Sequence, residues 1–111
     1  MNTYEKETEK LLRKLGINGS YLGFMFITYG VEKLHDDPML ITLICKGLYA
    51  EIAIHFNTTI YCVERNIRTI KEIIWRKADK KLLKEIFGSD RTIYPNNTEF
   101  MDCLAIYIEK S

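Results

Sequence analysis

The sequence predicts an all-α domain of about six helices around a helix-turn-helix core. Apolar residues recur at intervals of three and four along most of the chain, the period of a helix that packs on one face. The 111 residues include only 6 Gly and 2 Pro, fewer turn-forming residues than a sandwich or barrel of many strands needs. Polar turn signals separate segments of helical length, and we expect residues 1–111 to form one domain.

Two helices are predicted in the first third of the chain. Residues 3–15 carry leucines on one face and end at Gly16, a residue typical of helix C-termini. Residues 20–34 form the second helix, and their first residue, a serine, supplies the N-cap. Gly23 and Gly30 allow another helix to approach this one closely.

The middle of the chain predicts three more helices. Asp37 and Pro38 are typical of the N-cap and the first position of a helix. Residues 50–56 form a short helix, and Thr59 caps a long one that extends to residue 77. The helix after Pro38 presents Leu40, Leu43, Ile44 and Leu48, and the long helix turns Val63, Ile67, Ile70 and Ile74 toward the core.

The C-terminal third predicts a short helix over residues 79–87, which stops at Gly88, and a last helix capped by Thr98. The inward residues of the last helix are Met101, Leu104, Ala105 and Ile108.

Composition and charge exclude several classes of protein. The formal net charge is +1, which excludes a uniformly basic nucleic-acid binder. Five of the first ten residues are charged, which argues against a signal peptide. No apolar run is long enough to span a membrane. The three cysteines include no CxxC pair, which argues against a disulfide framework. We therefore expect a cytoplasmic protein that does not enter the membrane, with Cys45 and Cys103 as core residues.

Catalytic and metal chemistry find no support in the residue pattern. No nucleophile motif, Gly-rich phosphate loop or carboxylate pair is present, and the histidines and cysteines lack metal-ligand spacing. The sequence predicts a protein that is not an enzyme and has no metal or cofactor.

The strongest local signal covers residues 48–75, which predict a short helix, a tight polar turn and a long helix. In a helix-turn-helix unit the N-terminal half of the second helix meets base edges in the major groove. Thr58 and Thr59 supply hydroxyls at the turn, and Arg65 or Arg68 can bind guanine through two hydrogen bonds. Glu64 can accept a hydrogen bond from cytosine. Glu64, Arg65, Arg68, Thr69 and Lys71 are expected to point away from the core.

Charge around the predicted long helix is polarised. Residues 59–84 contain eight basic and three acidic side chains, so the near-neutral total conceals a basic segment that can attract a polyanion. The spacing of Glu64 and Arg68 is equally typical of a solvated helix face held by salt bridges.

A family resemblance extends this interpretation. The matching residues are Lys46, Leu48, Tyr49, Ile52, Ala53, Phe56, Asn57, Thr58, Thr59, Val63, Glu64, Arg65, Ile67, Arg68, Ile70, Glu72, Trp75, Pro95, Asn97, Glu99 and Phe100. On these residues the chain resembles the C-terminal effector domains of stage-zero sporulation protein A, the sporulation master response regulator of Firmicutes. The resemblance extends from about Leu11 to the C-terminus.

The resemblance implies an all-helical transcription regulator that binds double-stranded DNA. It assigns base reading to Glu64, Arg65 and Arg68, and we add Thr69 to this set. It assigns phosphate contacts to Lys46, Asn57, Thr58 and Thr59. Tyr61 and Lys71 join the phosphate set as further candidates. It also implies side-by-side dimers on tandem DNA boxes through the C-terminal helix, and contacts to an RNA polymerase sigma subunit. The 111 residues leave no room for the receiver domain of such regulators.

Departures from the family pattern support a second hypothesis. Ile54, Cys62 and Thr69 stand where the family has basic or potentially basic residues, and His55 replaces a lysine. Each lost phosphate contact weakens binding and flattens its salt dependence. The alternative is therefore a protein-interaction module with weakened DNA binding, which modulates a related regulator or a sigma factor.

Overall fold

The computed structural model of the chain describes residues 3–88 and 94–110. All regular elements in these two ranges are helical, so the predicted all-α class with about six helices is confirmed. In chain order they are α1 Thr3–Lys14, α2 Leu22–Asp36, a 3-10 turn Pro38–Ile41, a π-helical turn Cys45–Tyr49, α3 Ala50–His55, α4 Ile60–Lys77, α5 Lys80–Phe87 and α6 Asn97–Lys110.

Helix α2 lies at the centre of the fold and packs against α1, α4 and α6. Its Ile27 is completely buried, and so are Leu12 of α1 and Leu104 of α6. The predicted inner stripe of α4 is confirmed, because its four apolar residues are completely buried: Val63, Ile67, Ile70 and Ile74. Burial of this stripe fixes which face of α4 remains available to a ligand.

Close contact between α2 and α4 depends on Gly23. A Cβ atom at this position would lie 2.6 Å from the backbone oxygen of Asn66, too close for any side chain. Gly30 is similarly crowded, since a Cβ there would lie 3.0 Å from Met101 and 3.1 Å from Ile52. The predicted close approach at both glycines is confirmed.

Several helix ends match the prediction. Gly16 follows α1 with a φ of +93°, a conformation that glycine adopts without strain. Asp37 accepts a hydrogen bond from the backbone N–H of Met39 at 3.2 Å, and Thr59 accepts one from the N–H of Cys62 at 3.0 Å. The predicted Asp37 and Thr59 caps are therefore confirmed.

Two predicted caps are wrong. Ser20 does not cap α2, because its N–H and hydroxyl both donate to Asn18 Oδ1, at 2.8 and 2.5 Å, in a local turn that competes with a cap. Thr98 lies inside α6, which begins one residue earlier. Asn96 caps that helix instead, since its Oδ1 accepts from the N–H of Glu99 at 2.8 Å.

The helix predicted after Asp37 is replaced by two short turns. The chain leaves the 3-10 turn and returns across it so closely that a Cβ on Gly47 would lie 2.8 Å from the backbone oxygen of Leu40. A straight helix cannot make this return. The chain changes direction at the π-helical turn, which continues directly into α3. The expected inward stripe is broken, because Leu48 is buried but Leu43 is 66% exposed. Cys45 is exposed rather than in the core.

Candidate nucleic-acid interface

Helices α3 and α4 and the turn at residues 56–59 form the predicted helix-turn-helix unit. Asn57 adopts a φ of +52°, a left-handed conformation that asparagine tolerates better than most residues. The N–H of Thr58 then donates to the carbonyl of Ala53 at 2.9 Å, which closes the end of α3. The local sequence Asn-Thr-Thr therefore builds both the turn and the start of α4.

The N-terminus of α4 offers polar groups at the surface. Asn57 and Thr59 are exposed, and Thr58 is half-buried. The first backbone N–H groups of any helix have no carbonyl partner within that helix, and they carry a partial positive charge. This end of α4 therefore suits an anion such as a phosphate group.

The outer face of α4 carries the predicted polar side chains. Arg65 is exposed, and Arg68 Nη1 donates to Glu64 Oε1 at 2.8 Å while both side chains remain partly exposed. Thr69 is exposed, but its hydroxyl donates to the carbonyl of Arg65 at 3.0 Å. An arginine has five N–H donors, so pairing with Glu64 leaves most of the Arg68 fork for another acceptor.

Lys71 does not lie on this outer face, which corrects the prediction. It is 4% exposed, and its Nζ lies 4.7 Å from the centroid of the Tyr94 ring. The cause is helical geometry, because Lys71 follows Ile67 by four residues and precedes Ile74 by three. Burial lowers the pKa of the Lys71 ammonium group, since desolvation disfavours its charged form.

Other predicted contacts lie at the surface around the unit. Lys46 is exposed on the π-helical turn, and Tyr61 is 67% exposed on the first turn of α4. Ile54 is 79% exposed near the end of α3. Cys62 is only half-buried, and Asn66 Nδ2 lies 3.4 Å from its Sγ.

Two residues that sequence reasoning left without a role contact α4 from behind. Asn97 Nδ2, in the first turn of α6, donates to Tyr49 Oη at 3.0 Å and to the carbonyl of Glu64 at 3.3 Å. Burial is the main cause that raises the pKa of Tyr49 to about 12, so its hydroxyl stays neutral at physiological pH. Neither residue belongs to a periodic pattern, so the sequence carried no physical signal of this contact.

The comparison with protein families bears on this geometry. The family model for the sporulation initiation factor Spo0A C-terminal domain matches residues 8–108, nearly the whole chain. The chain belongs to this family. Spo0A C-terminal domains are DNA-binding effector domains of response regulators that control transcription in sporulation, and they are regulatory rather than catalytic. The resemblance expected from the sequence is therefore confirmed.

Two further properties of this Spo0A-type domain follow from its described residues. None of their helices has both the length and the apolar character to cross a membrane. Within the same two ranges, the acidic, histidine and cysteine side chains nowhere form a group of three that could hold a metal ion.

Proposed function

We propose that this domain binds double-stranded DNA in a sequence-specific manner and regulates transcription, with α4 in the major groove. One observation carries the proposal: the outer face of α4 presents Glu64, Arg65 and Arg68 while its inner stripe is completely buried. A helix anchored in this way can present its N-terminal half to base edges without losing contact with the core.

The proposed roles follow from exposure and chemistry. Arg65 and Arg68 read bases, Glu64 orients Arg68 and accepts from cytosine, and the Thr69 methyl group adds contact area. Lys71 is left out of the proposed contacts because it is buried. The proposed phosphate contacts are Lys46, Asn57, Thr58, Thr59 and Tyr61.

Fluorescence anisotropy with a duplex that carries the family's DNA box, measured over a salt series, tests this proposal. We expect the box to bind more tightly than a scrambled duplex, and both affinities to fall as salt rises. Equal affinity for the two duplexes, or no binding at low salt, would contradict it.

A substitution of Arg65 tests base reading directly. Arg65→Ala is expected to cost about 1–3 kcal/mol on the box, because a bidentate contact to guanine discriminates bases by this amount. Arg76→Ala is the matched control, since Arg76 is also an exposed arginine of α4 but lies in its last turn. A loss on Arg65→Ala that is the same for all sequences would make Arg65 a phosphate contact instead.

The partners proposed for the domain follow from its family. Two copies bind side by side on tandem boxes, with α6 at the contact, and a sigma subunit of RNA polymerase is a further partner. Ile106 supports the first idea, because this apolar side chain is 42% exposed on α6. A regulator of chromosomal genes acts in the cytoplasm.

A second candidate function is a protein-interaction module. It is favoured by the exposure of Ile54 and Tyr61, two large apolar side chains on the helix-turn-helix unit. Under this hypothesis the domain co-purifies with a related regulator or a sigma subunit, and it shifts no DNA at low salt. Specific binding of the isolated chain to the box excludes a module that has lost DNA binding.

A further inference from the structure

A half-buried hydrogen-bond link joins α6 and the π-helical turn to α4. The amide nitrogen of Asn97 in α6 donates both to the hydroxyl of Tyr49 in the π-helical turn and to the backbone carbonyl of Glu64 in α4, at 3.0 and 3.3 Å. Tyr49 is only 2% exposed, so solvent does not compete freely for its hydroxyl. The bond to α4 is accepted by the backbone of Glu64, the residue whose side chain pairs with Arg68.

The Asn97 end of the link is held firmly. Asn96 caps α6, Pro95 is buried, and Phe100 and Met101 in the next turn of α6 are completely buried. Tyr49, at the other end, is anchored in the core. Asn97 therefore has little freedom to follow a movement of α4, and it resists displacement of that helix.

Stability alone does not account for the amide at this position. Asn97 Oδ1 is buried and has no hydrogen-bond partner among the described residues. A buried polar atom without a partner costs free energy, which offsets part of the stabilisation from the bond to Tyr49. The carbonyl of Glu64 also has the N–H of Arg68 within reach as its ordinary helical partner, so it does not need Asn97 for satisfaction.

We propose that Asn97 is a positioning residue for base recognition, which fixes the place of Glu64 and Arg68 along and around the axis of α4. The inference rests on the proposed function, since it assumes that α4 reads bases. Hydrogen bonds to base edges tolerate only a few tenths of an ångström, so a small shift of α4 weakens them. Phosphate contacts from flexible side chains tolerate the same shift, and sequence-independent binding is preserved.

The test compares four folded variants by their affinities for the box and for a scrambled duplex. Asn97→Ala and Asn97→Leu remove the link, and the leucine keeps most of the side-chain volume. Tyr49→Phe removes only the branch to the π-helical turn. Ile108→Ala is the control, because Ile108 is buried in the same helix, eleven residues beyond Asn97.

We expect both Asn97 variants to reduce the ratio of the two affinities by about tenfold, while affinity for the scrambled duplex changes by less than about twofold. Tyr49→Phe should reduce the ratio by less than about threefold, because the branch to Glu64 remains. Ile108→Ala should leave the ratio unchanged, although it lowers the melting temperature.

A measurement without DNA separates positioning from the proposed function. Hydrogen exchange of the Arg68 amide, whose helical acceptor is the carbonyl of Glu64, should accelerate about tenfold in Asn97→Leu relative to Ile108→Ala. Unchanged exchange together with an unchanged affinity ratio in both Asn97 variants overturns the inference alone. An equal loss of discrimination in Ile108→Ala also overturns it. A wild-type chain that does not discriminate the box overturns the proposed function and the inference with it.

Discussion

Asn57 combines a backbone requirement with an expected contact to DNA. It has a φ of +52° at the turn between α3 and α4, where side chains with a Cβ atom are strained and asparagine less than most. Asn57→Gly should keep the free energy of unfolding within about 0.5 kcal/mol, whereas Asn57→Ala should lower it by about 1 kcal/mol. Urea denaturation measures both values.

The two variants also separate structure from binding. Both remove the amide, so a phosphate contact by Asn57 lowers DNA affinity equally in both, whatever their stability. If Asn57→Ala is as stable as the wild type, the left-handed conformation is not a constraint on this turn.

Tyr49 makes stability depend on alkaline pH. Its pKa is raised from the ordinary value of 10.0 to about 12, mainly by burial, so the folded chain holds this proton more tightly than the unfolded chain. The resulting stabilisation is present below pH 10, and about 2 kcal/mol of it is lost as the pH rises from about 10 to about 12.

Melting curves of the wild type and Tyr49→Phe between pH 8 and pH 12 test this dependence. The free energy of unfolding of the wild type should fall by about 2 kcal/mol relative to that of the variant between pH 10 and pH 12, because the variant has no proton to lose at this position. Every other titratable group is present in both proteins, so the comparison isolates the contribution of Tyr49. Parallel curves would show that Tyr49 ionises as readily in the folded state as in the unfolded one.

The location of a side chain could be predicted from the sequence for some residues and not for others. Arg65 and Arg68 were placed correctly on the outer face, because helical periodicity alone orients them. Lys71 was misplaced because its charge suggests exposure, whereas its spacing from Ile67 and Ile74 puts it beside the apolar stripe. There it packs against Tyr94. The contact of Asn97 with Glu64 joins residues 33 positions apart, and no local pattern encodes it.

Gly23 sets the separation of two helices. Because a Cβ at this position would lie 2.6 Å from a backbone oxygen of α4, Gly23→Ala forces α4 away from α2. We expect a loss of about 1–3 kcal/mol in the free energy of unfolding, although alanine is the better helix former.

Gly19→Ala provides the control for this prediction. The nearest atom to a Cβ at Gly19 is a terminal nitrogen of Arg13 at 3.9 Å, so this variant should differ from the wild type by less than about 0.5 kcal/mol. Equal stability of Gly23→Ala and the wild type would mean that the helices adjust without cost. Thermal denaturation of the three proteins decides the matter.

Helices with strong local signals were predicted well, and those shaped by a return of the chain were not. Helix α4 has a capping threonine and an unbroken inner stripe, and both its position and its cap matched. The segment after Asp37 has an equally regular apolar pattern, yet Gly47 must cross Leu40 at close range and a straight helix does not form. Periodicity describes one helix and carries no information about where the chain must turn back.

The whole molecule carries a basic segment but lacks charge at one expected place. Ile54 is 79% exposed at a position where the resemblance leads us to expect a basic residue. Ile54→Lys should increase affinity for any duplex and steepen the dependence of log K on log salt by about 0.9, the value for one additional phosphate contact. Its stability should stay within about 0.5 kcal/mol of the wild type.

Met39→Lys adds the same charge at an exposed position of the 3-10 turn and tests whether location matters. If only the net charge governs attraction to DNA, the two lysine variants steepen the salt dependence equally. A larger effect at Ile54 places the end of α3 against the phosphate backbone, and no effect at Ile54 removes α3 from the proposed interface.

The anchoring of α4 on two sides has a thermodynamic consequence. Gly23 brings the backbone of α2 against one flank, Asn97 holds another, and the inner stripe is completely buried, so the proposed DNA-binding face is formed in the free protein. Association then requires little folding of the protein. Its heat capacity change should match rigid docking of two preformed surfaces, and its association rate should be limited by electrostatic encounter rather than by ordering of the helix.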